Sequence, residues 1–325
     1  MKKKGVSLVL AGIMALSLAA CGSTEKKEGP SNGAASYTVG ICQLVAHEAL
    51  DAATQGFMDA LNEELPGQVT FDLQNAANDS NTCATIANGF VSAGVDLILA
   101  NATPALQAAA AATGEIPVLG TAVTEYGVAL GIKEFSGVVG GNISGTSDLA
   151  PLKDQAAMVK EWCPDAKTVG LLYCSAEPNS QYQVDTVQKE LEALGYLCKQ
   201  YSFSDSNDIA AVTQTAADQS DVIYLPTDNT VASNAGVIDN ICRPAEIPVI
   251  AGEEGICSGC GVATLSISYY DLGVATGKMA AQVLTGAVEI AELPVGYAET
   301  VTPKYNETIC TDLGLTPPEG YQAIG

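Results

Sequence analysis

This 325-residue chain predicts an α/β fold: two doubly wound parallel-sheet lobes joined by a three-crossing hinge. Two observations carry that expectation. Apolar runs of strand length alternate with runs of helical spacing, and the pattern is written twice. Tyr37-Thr38-Val39-Gly40-Ile41-Cys42 matches Lys167-Thr168-Val169-Gly170-Leu171-Leu172, with Gly40 and Gly170 130 residues apart. Asp96-Leu97-Ile98-Leu99 matches Asp221-Val222-Ile223-Tyr224 at a spacing of 125, and Ile116-Pro117-Val118 matches Ile247-Pro248-Val249 at 131. Each fragment is weak alone. Three in one order at nearly one offset make an internal repeat.

Each element of the first copy has its own signal. Residues 37–44 form a short apolar run of strand length. Residues 47–64 place Leu50, Phe57 and Leu61 on one helical face. A strand over 69–74 follows, then a helix over 81–93 opened by Asn78-Asp79-Ser80. Residues 97–100 read as a strand, 104–113 as an Ala-rich helix with Pro104 at its start, and 117–120 as a strand. The second copy repeats this over 168–173, 180–194, 197–202, 207–217, 222–225, 230–240 and 248–251. Strands alternating with such helices indicate parallel sheets covered on both faces. After a strand over 262–266, the helix over 270–284 has no partner in the second lobe, and a last strand spans 297–302. Sending that helix to the first lobe and that strand to the second gives three crossings. The lobes are then 37–147 plus about 268–290, and 148–267 plus about 291–325.

In open α/β sheets, ligands bind beyond the carboxyl ends of the strands. Two facing lobes therefore gather their strand ends around one cleft. The candidate binding residues there are Gln43, His47, Thr103, Thr121, Thr124, Asn179, Ser180, Gln183, Asp228, Asn229, Glu253 and Tyr269. They suit a zwitterion. Helix N-termini with hydroxyl or amide side chains hold a carboxylate without a basic residue. Asp228 and Glu253 are placed to take an ammonium group, and Tyr126, Tyr182 and Tyr269 to wall an apolar or aromatic side chain. The plainer alternative is that Thr, Asn, Ser and Asp after strands are only helix caps and turns. Recurrence in both lobes favours a site.

The N-terminus carries a second signal. Lys2, Lys3 and Lys4 precede an apolar run over 6–18, which ends in Ala19-Ala20-Cys21. A basic start, an apolar middle and small residues mark residues 1–20 as a secretory signal peptide. The run is shorter than the ~20 residues a membrane span needs. Cys21 falls where bacterial lipobox signals place the lipidated cysteine. Residues 21–36, rich in Gly, Ser, Pro and charge, then form a flexible tether. The body is expected outside the cell, lipid-anchored to the outer face of the bacterial cytoplasmic membrane.

The 305 residues after the cleavage site suffice for two lobes, and 47% of the chain is hydrophobic, enough for a full core in each. Removing the three signal lysines leaves 11 basic against 37 acidic residues, a net of −26. That argues against nucleic-acid partners and against a polybasic membrane contact. Nine cysteines remain after Cys21: Cys42, Cys83, Cys163, Cys174, Cys198, Cys242, Cys257, Cys260 and Cys310. Outside the cell disulfides are permitted, but nine is odd, so at least one thiol is free or intermolecular.

Several of these stretches together resemble one family. They are Gln43-Leu44-Val45-x-His47-x-Ala49-Leu50-Asp51, Ala102-Thr103-Pro104-Ala105, Thr121-Ala122-Val123-Thr124, Gly252-Glu253-Glu254 and, most specifically, Pro226 through Ser233. The family is the ABC-transporter substrate-binding lipoproteins of the tryptophan/tyrosine type, and the similarity runs over nearly all of 37–315. The resemblance implies a periplasmic-binding-protein type I (Venus-flytrap) fold and an aromatic amino acid as ligand: tryptophan, tyrosine or phenylalanine. It also implies an ABC permease and ATPase as partners. No cofactor is expected. A monomer is expected. The chain departs from the family pattern in its many cysteines, notably Cys257-Ser258-Gly259-Cys260.

Other function classes fit less well. A nucleophile elbow needs G-x-S-x-G, which Gly141-Asn142-Ile143-Ser144-Gly145 lacks. The single histidine, His47, restricts catalytic triads, and no phosphate-loop or dinucleotide fingerprint is present, so no catalytic residue is assigned. Cys257-x-x-Cys260 has metal-ligand spacing but no second C-x-x-C to complete a site, so no metal is assigned. A ligand-sensing protein for a branched amino acid, nucleoside or sugar, coupled to a receptor, shares the fold and remains the alternative.

Overall fold

A computed structural model describes residues 36–324. The expected signal peptide, the lipidated Cys21 and the tether up to residue 35 lie outside the described residues. From its start the chain runs β1 (Tyr37–Gln43), α1 (Glu48–Glu64), β2 (Val69–Asn75), α2 (Ser80–Ala93), β3 (Leu97–Asn101), α3 (Thr103–Ala112), β4 (Val118–Thr121), α4 (Tyr126–Leu130) and β5 (Ile143–Ser147). It continues through α5 (Leu152–Trp162), β6 (Thr168–Cys174), α6 (Pro178–Ala193), β7 (Leu197–Phe203), α7 (Ile209–Ala217), β8 (Val222–Leu225), α8 (Asn229–Ser233), α9 (Ala235–Cys242), β9 (Val249–Ala251), α10 (Glu254–Cys260) and β10 (Ala263–Ser266). It ends with α11 (Tyr269–Leu284), β11 (Gly296–Tyr297), β12 (Thr302–Tyr305), α12 (Glu307–Asp312) and β13 (Gln322–Ala323).

Two lobes result. One sheet has the order β11-β5-β4-β3-β1-β2 and the other β13-β12-β10-β9-β8-β6-β7. The core strands are parallel and apolar along their length, as strands covered on both faces must be. Parallel register brings the polar ends together. Gln43 lies opposite both Asn75 and Asn101, and Asn101 opposite Thr121. Helix boundaries follow local chemistry. Asp79 caps α2 by accepting from the Thr82 N–H at 2.6 Å, and Gly94 closes it in the left-handed region at φ 67°.

After Ser147 the chain passes to the second lobe. It returns after β10 to pack α11 against α1, and passes again between β11 and β12. The last stretch differs from the expected single strand over 297–302. Tyr297 pairs with Ser147 in the first sheet, while Thr302 pairs with Ser266 in the second. Residues 298–301 are therefore the third crossing itself. A two-residue strand leaves no period to read.

Three glycines bring α1 and α11 together backbone to backbone. A Cβ at Gly273 would collide with the Ala53 carbonyl, one at Gly56 with the Tyr270 carbonyl, and one at Gly277 with the Phe57 carbonyl. A carbonyl in a packed helix cannot rotate away as a side chain can. Gly273→Ala should therefore lower unfolding stability by about 1–3 kcal/mol, although alanine is the better helix former. Urea denaturation of the variant against Gly89→Ala, where open space surrounds the added methyl, measures this directly.

Candidate functional site

The second lobe presents the N-terminus of α8 to the cleft, and buried Glu177 organises it. Glu177 Oε2 accepts from Asn229 N and Nδ2 at 3.1 and 2.7 Å. Its Oε1 accepts from Thr230 N and Oγ1 at 2.9 and 2.8 Å. Two bonds run from this cluster to the first lobe. Asn78 Nδ2 donates to Thr230 Oγ1 at 3.0 Å, and His47 Nε2 meets Asn229 Oδ1 at 3.2 Å. Because Asn229 Nδ2 is committed to Glu177, its oxygen faces His47, and Nε2 is the donor. Burial lowers the His47 pKa, against the opposing pull of Asn229, Glu177 and Asp51, so the ring is neutral near pH 7.

Between the lobes lies a small cavity of about 10 Å³. His47, Leu50, Ala122 and Thr124 line it from the first lobe, Asp148 and Tyr269 from two crossings, and Asn179, Thr227, Asp228, Asn229, Ala232 and Glu253 from the second lobe. That volume is room for about one water molecule, far below the roughly 300 Å³ of a small-ligand pocket: the lobes are closed on each other here. Three carboxyls border it, and no lysine or arginine does, among the described residues.

The three carboxyls are held differently. Asp228 caps α8, accepting from Val231 N at 2.9 Å and from Cys174 N at 2.7 Å, one bond to each oxygen. Glu253 caps α10 in the same way, from Gly255 N at 2.7 Å and Ile256 N at 2.5 Å. Asp148 Oδ2 accepts from the Tyr269 hydroxyl at 2.9 Å, the Thr124 hydroxyl lies near the carboxyl, and Oδ1 has no hydrogen-bond partner. Burial pushes all three carboxyls up. For Asp228 the charge of Glu177 adds to the rise, and the amide donors oppose it. For Asp148 the Tyr269 and Thr124 hydroxyls oppose it. Glu253 is pushed up to about 7, its two amide donors opposing.

Seven of the twelve candidate residues meet at the cavity: His47, Thr124, Asn179, Asp228, Asn229, Glu253 and Tyr269. The other five are turned to scaffolding. Gln43 donates to Val45 O and Asp51 and accepts from Thr54, pinning the start of α1. Thr103 is buried in the first turn of α3, and Thr121 Oγ1 pairs with Thr146 Oγ1 at 3.3 Å. Ser180 is buried beside Asn179 and Asp228. Gln183 brackets Thr227, donating to its carbonyl and accepting from its N–H, both at 3.0 Å. Of the expected aromatic wall only Tyr269 lines the cavity. Tyr126 is buried behind β5, its hydroxyl on Thr146 O, and Tyr182 lines an outer groove.

Leu50, Ala122, Asp148, Thr227 and Ala232 complete the lining beyond the sequence-derived set. Asp148 follows β5, whose Ile-Ser-Gly-Thr-Ser run lacks any apolar signal, so its strand end was not legible. Backbone strain also gathers at this edge of the first lobe. Ala122 has φ 51°, and Ala102 has φ 88° with ψ 159°, a region almost reserved for glycine.

The nine described cysteines are free thiols. Cys257 and Cys260 lie on α10, and burial pushes both thiols well above their ordinary range. No group of three His, Cys, Asp or Glu side chains is arranged for a metal, among the described residues.

The chain has clear relatives. The family described as "ABC transporter substrate binding protein" matches residues 38–323. A tyrosine-binding protein of Clostridioides difficile (strain R20291) is 36% identical over 302 residues, 90% of this chain and 87% of that one. The solved ABC domain from Streptococcus pneumonia in complex with L-Trp is 34% identical, covering 89% of this chain and 100% of that one, at a TM-score of 0.84. A ligand-free, open substrate-binding protein with adhesive properties from Clostridium difficile is 36% identical, covering 89% and 99%, at a TM-score of 0.68. At nearly equal identity, the lobes here match the L-Trp complex better than the open form.

The raised Glu253 makes stability depend on pH. The folded state keeps a proton that the unfolded chain releases near 4.5. Stability from this group is therefore full below pH 4.5 and falls as pH rises through about 7. The loss is roughly 3 kcal/mol. Thermal unfolding from pH 4 to 8 should show the unaltered chain losing stability relative to Glu253→Gln. Parallel curves would remove Glu253 as the cause.

Proposed function

We propose that this chain, which belongs to the ABC transporter substrate-binding protein family, captures an amino acid in its interlobe cavity for delivery to an ABC importer. The two-lobed arrangement is the periplasmic-binding-protein type I fold, and a solute-binding family, not an enzyme, is the setting. The aromatic amino acids are the favoured ligands, because the relatives are a tyrosine-binding protein and a domain solved with L-Trp. The observation that supports the reading is the set of polar groups both lobes bring to one small cavity, three carboxyls among them and no cationic side chain.

A zwitterion complements this cavity. Its ammonium meets the acidic side. Its carboxylate is suited by the N-terminus of α1, where His47 and Leu50 border the cavity and no side chain caps the helix. His47, Thr124, Asn179, Asp228, Asn229, Glu253 and Tyr269 form the proposed site with the newly placed lining. Capture works by closure: ligand touching both lobes favours the closed state over the open one. The bonds from Asn78 and His47 to α8 exist only when the lobes meet. The lipobox-like Cys21 supports anchoring at the outer membrane face, and a permease and ATPase would take the released ligand.

Calorimetric titration of the ligand-stripped body with the twenty amino acids should give one-to-one binding of tryptophan, tyrosine or phenylalanine. A sugar or nucleoside binding in their place would sink the reading. Asn78→Ala should weaken the bound ligand by about 0.5–1.5 kcal/mol, mainly through faster release, because it removes a bond of the closed state. Stopped-flow dissociation rates measure this.

A further inference from the structure

Two residues that line the cavity each carry a buried oxygen with no hydrogen-bond partner. One is Asp148 Oδ1 and the other Asn179 Oδ1. Both residues are only 3% exposed. The amide of Asn179 is oriented by its surroundings. Its Nδ2 faces Thr227 O at 3.2 Å and Glu177 Oε2 at 3.3 Å, both acceptors, so the oxygen is the end left without a partner. Asp148 is fixed through its other oxygen by Tyr269, at the start of the helix that follows the second crossing. Leaving such atoms buried and unmatched is unfavourable. Both are acceptors, and neither lysine nor arginine borders the cavity among the described residues. The complementary group is a ligand donor with several N–H bonds and a positive charge.

Resting on the amino-acid reading above, we propose that Asp148 Oδ1 and Asn179 Oδ1 together receive the ligand's primary ammonium group, with Asp148, not Asp228 or Glu253, supplying the charge. Asp228 and Glu253 each spend both oxygens on backbone N–H groups: Asp228 on Val231 of α8 and Cys174 of β6, Glu253 on Gly255 and Ile256 of α10. They shape the cleft and hold α8 and α10. Asp148 lies just past β5 on the first crossing, and Asn179 in the first turn of α6 in the second lobe. An ammonium bonded to both therefore ties the crossing to the second lobe and acts on closure as well as on recognition.

The test is a set of calorimetric titrations of the ligand-stripped chain, the unaltered form beside Asp148→Asn, Asn179→Ala and Asp228→Asn. Each is titrated with tryptophan, tyrosine and phenylalanine, and with the matching des-amino acids, which keep the ring and carboxylate but lack the ammonium. Asp148→Asn should weaken the amino acids about 30-fold or more and the des-amino acids far less. Asn179→Ala should show the same selective loss, about 10-fold. Asp228→Asn should weaken both ligand types alike. Retained binding of the des-amino acid shows that the cleft is intact. Should Asp148→Asn bind neither ligand, Asn179→Ala decides, because it leaves every acidic group in place. Equal losses for both ligand types in that variant, or a selective loss confined to Asp228→Asn, overturns the assignment. Failure of the unaltered chain to bind any amino acid overturns the proposed function and this assignment with it. Normal binding by the unaltered chain and by Asp148→Asn overturns this assignment alone.

Discussion

Four carboxyls, Asp148, Glu177, Asp228 and Glu253, are buried where the lobes meet, and the small cavity that three of them line has no lysine or arginine in its lining among the described residues. Burying charge without a partner is costly, and the fold meets that cost with backbone. Asp228 and Glu253 sit at helix starts, where amides are unmatched and the dipole favours an anion. Glu177 uses the same α8 terminus from the side, through Asn229 and Thr230. This arrangement sets where α8 stands, and α8 is the part of the second lobe that reaches Asn78 and His47. Asp148 sits at no helix start and accepts instead from the Tyr269 hydroxyl.

The rest of the architecture serves that placement. Parallel register aligns Gln43, Asn75, Asn101 and Thr121 at one edge of the first sheet. The glycine contact between α1 and α11 fixes the return of the second crossing, and with it Tyr269. Tyr269 in turn holds Asp148. The helix packing of α1 against α11 thus reaches the least satisfied carboxyl in the cleft. The better match to an L-Trp complex than to an open relative fits a closed arrangement of these parts.

Much of this was legible in the sequence because the parallel strands are apolar throughout and the pattern occurs twice. The two lobes and most strands and helices of the repeat follow from that. What was not legible has physical reasons. β5 is a buried strand made of Ile, Ser, Gly, Thr and Ser, whose hydroxyls are matched internally: Ser144 by Leu293 O, Thr146 by Thr276. No hydropathy pattern marks such a strand, and so Asp148 at its end was missed. The expected helix over 230–240 divides at Asn234, whose φ of −127° leaves the helical region. Strand ends pointed to the correct edge of each sheet, but chemistry alone could not separate lining from scaffold. Gln43 and Asn179 are both amides at strand ends. Gln43 is consumed by Asp51, Thr54 and Val45, while Asn179 keeps an oxygen for the cavity. That distinction depends on neighbours distant in sequence.

A crystal structure of the chain with a bound aromatic amino acid, at a resolution that places its nitrogen, tests the central claim most directly. The account predicts lobes closed around the ligand, with the ammonium nitrogen roughly 2.7–2.9 Å from Asp148 Oδ1 and within hydrogen-bond reach of Asn179 Oδ1. A nitrogen seated on Asp228 or Glu253, with their amide bonds broken, or a ligand held outside the interlobe cavity, would contradict it.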